Sequence, residues 1–197
     1  ILGILEQMQV DLSRIHHIFV THEHTDHILG IVWMVRMIAT AMKKGTYEGT
    51  LQIYCHPDLT DTISTLCRLT LQSKFYKMIG DRIFLVPVED GETVHILNYD
   101  VTFFDILSTK AKQFGFTTVL NNGRKLTCAG DEPLNPDCLR YVEGSHWLLH
   151  EAFCLYEDRD IFKPYEKHHS TVKEACELAE SLHIPSLVLW HTEDKRP

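Results

Sequence analysis

The sequence contains no CxxC pair and no framework spacing of cysteines: Cys55, Cys67, Cys128, Cys138, Cys154 and Cys176 fall singly, mostly in apolar or helical contexts. A disulfide scaffold is therefore not indicated, and a reduced, cytoplasmic setting is the simplest reading. No stretch reaches the roughly 18 apolar residues that a membrane span needs. The segment 28–42 comes nearest, but Arg36 interrupts it and it reads as a buried helix. No secretory signal is expected, and there is no low-complexity linker and no repeat. Positive charge is also scarce: 19 Lys and Arg against 27 Asp and Glu give a net charge of −8. That removes the footprint expected for duplex nucleic acid, short of a local basic patch.

Hydrophobic residues and histidine are plentiful. A 44% hydrophobic content over 197 residues suffices for one domain with a real core. Histidine occurs 13 times, a first hint of metal or acid–base chemistry. The chain opens on Ile1 and enters a patterned segment at once. The expectation is one domain over 1–197 that is incomplete at its N-terminal side.

Strand-like and helix-like segments alternate. A short helix is predicted over 3–9, a strand over 14–21, and a helix over 28–44 stopped by Lys43, Lys44 and Gly45. A strand over 51–55 leads into a helix from Pro57 to about residue 71. Strands follow over 83–88, 93–97, 101–107, 114–120 and 125–129, with Asn122-Gly123 as a hairpin signal. Then come a short helix near Pro136, a strand over 147–150, a helix opened by a Thr171/Glu174 capping box, and a last strand over 187–190. This alternation predicts an α/β sandwich with helices on the outer faces of its sheets.

The strongest chemical feature is H22-E-H24-T-D26-H27, between a strand end and a helix start. Three imidazoles and a carboxylate within six residues converge only if the backbone turns, and a strand-to-helix loop supplies that turn. The donor set suits zinc and similar first-row ions.

H-x-H-x-D-H after an apolar strand resembles the signature of the metallo-β-lactamase superfamily. The resemblance runs over about residues 10–191 and implies an αββα sandwich, here expected to lack its N-terminal strands. It also implies one or two Zn2+ ions, with Mn2+ or another divalent ion as substitutes. On that likeness His22 and His24 serve one metal and Asp26 and His27 the other. L126-T-C-A-G130-D131 makes Asp131 the bridging ligand, and S186-L-V-L-W-H191 makes His191 the last. H150-E151-A152 and H169-S170-T171 resemble motifs of the ribonuclease Z-like branch, in which Glu151 and His169 support proton transfer to the leaving group. Asp26, Glu151 and His169 are thus the catalytic candidates. The resemblance leaves His150 open. His16, His17, His56, His95, His146 and His183 match no motif and are read as structural or solvated.

One departure stands out. The superfamily normally places a further metal-binding histidine near position 107, where this chain has Leu107. Leucine cannot coordinate a metal, so the site served by His22 and His24 is expected to be incomplete and activity impaired. The implied chemistry is metal-assisted hydrolysis by an ion-bound hydroxide. The substrate expected is a small phosphodiester, because only 23 residues lie between Leu107 and Asp131, too few for an RNA-gripping arm. The alternatives are a ribonuclease Z-type endonuclease acting on a tRNA 3′ end, or a degenerate member that binds a ligand or partner. No membrane partner is expected, and the resemblance implies a homodimer.

Overall fold

The computed structural model describes residues 2–193. The chain divides into two compact units, Ile1–Val88 and Glu89–Pro197, each with its own sheet.

In the first unit a helix, α1 (Leu2–Gln7), precedes the short strand β1 (His17–Phe19). The predicted strand over 14–21 is shortened because Leu12–Arg14 forms a single 3-10 turn, capped where the Asp11 carboxylate accepts from Ser13 N–H. Helix α2 (Thr25–Lys44) begins three residues earlier than its apolar pattern suggests. Its first turn carries Asp26, favourable against the N-terminal dipole, and Gly45 ends it in a left-handed conformation. Then follow β2 (Leu51–Cys55), α3 (Pro57–Thr70), the unforeseen one-turn helix α4 (Ser73–Tyr76) and β3 (Ile83–Pro87). The three strands are parallel in the order β1-β2-β3. Parallel strands bury both faces, and β2 accordingly has four of its five residues buried. Ile31, Val35 and Ile38 of α2 join Leu51, Ile53, Leu59 and Ile63 in one core.

The second unit holds β4 (Thr93–Ile96), β5 (Tyr99–Asp105), β6 (Phe114–Val119), β7 (Lys125–Cys128), β8 (Trp147–Glu151) and β9 (Ser186–Trp190), hydrogen-bonded in that order. Strands β4 to β7 are antiparallel, whereas β7, β8 and β9 run parallel. The predicted hairpin is present: Gly123 adopts φ 75° and donates to the Leu120 carbonyl. Short helices α5 (Leu139–Val142) and α6 (Arg159–Phe162) occupy connections, and α7 (Val172–Ser181) supplies the crossover into β9. Its capping box forms as predicted, with both Thr171 N–H and Thr171 Oγ1 on the Glu174 carboxylate at 2.8 Å. No described helix is long and apolar enough to cross a membrane. Five cysteines are buried and Cys176 is exposed. Burial pushes the Cys55 thiol up to about 12 and the Cys128 thiol up to about 11.

Gly115 of β6 lies where the sheet admits no side chain. A Cβ there would stand 2.5 Å from the Cys128 carbonyl oxygen and 2.8 Å from the Phe104 ring. Gly115→Ala is expected to cost about 1–3 kcal/mol, the range for overpacking. At roughly 2–4 °C per kcal/mol for a chain of this size, thermal unfolding would show it. An unchanged melting temperature would mean that β6 is not packed as described.

Candidate metal centre

In the first unit the HxHxDH motif straddles the junction of β1 and α2. The chain leaves β1 extended, His24 caps α2 from an extended conformation, and Asp26 and His27 fall in the first helical turn. His22 is fully buried, with its Nδ1 at 3.0 Å from Thr21 Oγ1 and its Nε2 at 2.8 Å from His24 Nδ1. The His27 ring lies 4.2 Å from that of His22, and His27 Nε2 is 3.5 Å from the half-exposed carboxylate of Asp26. The four motif residues are thus brought together. Nitrogens around one tetrahedral zinc at ~2.0 Å lie about 3.3 Å apart, so His22 and His24 need to spread only slightly to share an ion.

The second unit gathers its own set at the ends of its parallel strands. Beyond β7, Gly130 turns at φ 87° and delivers the buried Asp131. Two contacts fix this turn: Asp131 N–H donates to Gln113 Oε1, and the Trp190 indole N–H donates to the Gly130 carbonyl at 3.1 Å. Because Trp190 directly precedes His191, the second contact ties the end of β9 to the Asp131 turn. His191 Nδ1 then lies 3.0 Å from Asp131 Oδ1. Asp131, His169 and His191 each offer a ligand atom, all within 4.8 Å of one another. A carboxylate and two imidazoles at that spacing fit a divalent first-row ion.

Glu151, fully buried at the end of β8, accepts from Ser170 N–H at 2.6 Å and faces His169 Nδ1 at 3.2 Å. The segment 169–172 reaches it by strand-like pairing, in which Phe153 N–H donates to the Ser170 carbonyl and Val172 N–H to the Cys154 carbonyl. Phe153 stacks on the His169 ring at 4.9 Å and 6°. The other ring nitrogen, Nε2, lies 3.4 Å from Lys110 Nζ. Both ring nitrogens of His169 thus face a charged group, the Glu151 carboxylate on one side and the Lys110 ammonium on the other.

His150 is structural. It is buried, its Nδ1 donates to the Glu151 carbonyl at 2.6 Å, and its Nε2 accepts from Leu134 N–H at 3.3 Å. Leu107 is 46% exposed at φ 60°, its N–H on Asp105 Oδ1. It lies beyond the end of β5 and supplies no ligand. Gln113, Trp190 and Lys110 were not anticipated; none belongs to a residue pattern that announces its role.

Two sheets with helices, a histidine-rich strand-to-helix junction and a carboxylate–imidazole set at parallel strand ends define a protein of metallo-β-lactamase fold. The family model described as "Beta-lactamase superfamily domain" matches residues 3–192, and the chain belongs to that family. Among curated proteins it is 25% identical over 183 residues to "Ribonuclease Z 2, mitochondrial" of Schizosaccharomyces pombe, covering 91% of this chain and 26% of that protein. It is 22% identical to "Ribonuclease Z" of Azobacteroides pseudotrichonymphae, covering 96% of this chain and 74% of that one. The chain thus spans about a quarter of the first relative's length. Among solved structures, human tRNase Z, short form, shares the fold with a TM-score of 0.75 at 22% identity, over 97% of this chain and 77% of that one.

Burial holds the His150 imidazole below its ordinary pKa of 6.5, against the raising influence of its bond to the Glu151 carbonyl and of the Glu151 charge. The unfolded chain therefore binds the extra proton first, and stability is lost as pH falls through and below about 6.5. Urea unfolding across pH 5–8 is expected to show this acid-side loss, with a shallower slope in His150→Gln. Equal slopes in the two proteins would remove His150 from the acid response.

Proposed function

We propose that this chain is a metal-dependent hydrolase acting on phosphodiesters. The observation that carries the reading is the convergence of Asp131, His169 and His191, backed by the buried Glu151 carboxylate. His22, His24, Asp26 and His27 in the first unit, and Asp131 and His191 in the second, are the proposed ligands, for zinc or another divalent ion. When bound, the metal supplies a nucleophilic hydroxide near neutral pH and offsets charge on the phosphoryl group.

The chain's own residues do the rest. Glu151, facing His169 Nδ1 at 3.2 Å, orients the ring, and His169 passes a proton from Nε2 to the departing oxygen. Asp26, half-exposed beside His27, orients the attacking water or takes its proton. The names of the relatives favour a second reading, RNA 3′-end cleavage. The net charge of −8 weighs against it, and a salt-dependent RNA-binding assay separates the two. A cytoplasmic setting and a homodimer remain part of the proposal.

The first experiment is metal content by elemental analysis of protein purified without chelator, paired with hydrolysis of bis-(p-nitrophenyl) phosphate. With no histidine at position 107, metal nearer one ion than two per chain is expected, and Leu107→His runs beside the parent. Glu151→Gln is expected to lower kcat about 100-fold with metal retained, the lower range for general acid catalysis. No metal and no hydrolysis in either the parent or Leu107→His would sink the hydrolase reading.

A further inference from the structure

The loop between β5 and β6 carries the cation that the metal-binding pattern does not account for. Lys110 is set back into this loop, its side chain only 25% exposed. Its ammonium donates to the Lys167 carbonyl at 2.8 Å and stands 3.4 Å from His169 Nε2. The nearby carboxylate, Glu132, is itself nearly buried and already held: it accepts from Ser108 Oγ at 2.6 Å and from Thr109 N–H at 3.3 Å. Lys110 Nζ lies 3.9 Å from that carboxylate, beyond hydrogen-bond length. An ammonium has three protons. One is used on Lys167, one faces His169, and the third has no carboxylate at hydrogen-bond length among the described residues.

Thr109, Glu132 and His169, neighbours of this ammonium, help to line a cavity of about 350 Å³ whose other walls include Leu134, Tyr165 and His168. Thr109 adjoins Lys110 in the chain, and its Oγ1 lies 3.3 Å from His168 Nδ1. The volume suits a small organic group, and one wall is the imidazole proposed to serve the leaving oxygen.

We infer that Lys110 is an oxyanion-binding residue of the site: its ammonium takes a non-bridging oxygen of the substrate phosphoryl group while the alcohol portion occupies the adjoining cavity. This rests on the phosphodiesterase reading above and adds to it the group that recognises the phosphoryl charge. A point charge on a flexible stem, tethered at one proton and offered at another, is a common way for lysine to hold phosphate. No bond is made or broken at Lys110; it binds and orients.

The test is calorimetric titration of inorganic phosphate into zinc-loaded parent, Lys110→Met and Lys110→Arg proteins, with zinc content measured on each. Lys110→Met is expected to weaken phosphate binding by about tenfold to a hundredfold, the range for a hydrogen bond to a charged group. Zinc content should be unchanged, and Lys110→Arg should keep most of the affinity. In turnover the loss should fall on KM more than on kcat. Should Lys110→Met not fold, Lys110→Gln removes the charge while keeping a donor for the Lys167 carbonyl.

Equal phosphate affinity in the parent and the uncharged variant, no phosphate binding by the parent, or loss of zinc with the charge would each overturn the inference. The two readings fail separately. Weakened phosphate binding in a protein that cleaves no phosphodiester keeps the Lys110 site and removes the phosphodiesterase. Phosphodiester cleavage with phosphate affinity unchanged by the variant does the reverse.

Discussion

Within the second unit, β7, β8 and β9 run parallel, and parallel strands in register end on the same edge of a sheet. Cys128 pairs with Leu149 and Glu151 with Trp190, so Asp131, Glu151 and His191 emerge together although they are far apart in sequence. Ligands in α/β proteins gather at the carboxyl ends of parallel strands for this reason. An antiparallel partner at either position would carry one of the three to the opposite edge. The right to a parallel step is won by the crossover segments, which is why α7 and its capping box matter to a site they do not touch.

Strand ends alone leave side chains free to swing, and the structure removes that freedom with neutral groups. The Trp190 indole on the Gly130 carbonyl and the Gln113 amide on Asp131 N–H join two strand ends and the β5–β6 loop without adding charge. Gly130 has no alternative there: a Cβ would meet Gln113 Oε1 at 2.8 Å and Ile106 at 2.9 Å, at a φ that L side chains rarely adopt. Leu107, His168 and His191 hold left-handed φ values of 60°, 56° and 57° without that excuse. Such strain persists only where the surroundings over-determine it, and it collects at functional loops.

Much of this was readable from sequence because it depends on local rules. The β2 boundaries, the Gly45 helix stop, the Asn122-Gly123 turn and the Thr171/Glu174 capping box each follow from a few adjacent residues. The HxHxDH, Glu151 and His169 assignments came from resemblance, and the structure brings the members of each unit together. What escaped was non-local. The Asp11 cap shortened β1 by a hydrogen bond that no apolar pattern reveals. Gln113 and Trp190 act through partners 18 and 60 residues away, and a glutamine or tryptophan at a strand end has many possible uses.

Leu107 shows how reading by position can mislead about chemistry. A leucine cannot ligate a metal, and Leu107 is exposed at that position. Three residues on, the same loop turns Lys110 back beneath His169. A divalent ion and an ammonium are not equivalent: the ion can make a hydroxide from water, and the ammonium can only attract and donate. They overlap in one task, stabilising negative charge on a phosphoryl oxygen. On the proposed reading, a leucine at 107 and a lysine at 110 would keep recognition more fully than the means of making a nucleophile. The same imidazole that faces Lys110 through Nε2 faces Glu151 through Nδ1. A phosphoryl oxygen that draws Lys110 away would leave Nε2 facing the departing oxygen, so that binding and proton transfer share one cation.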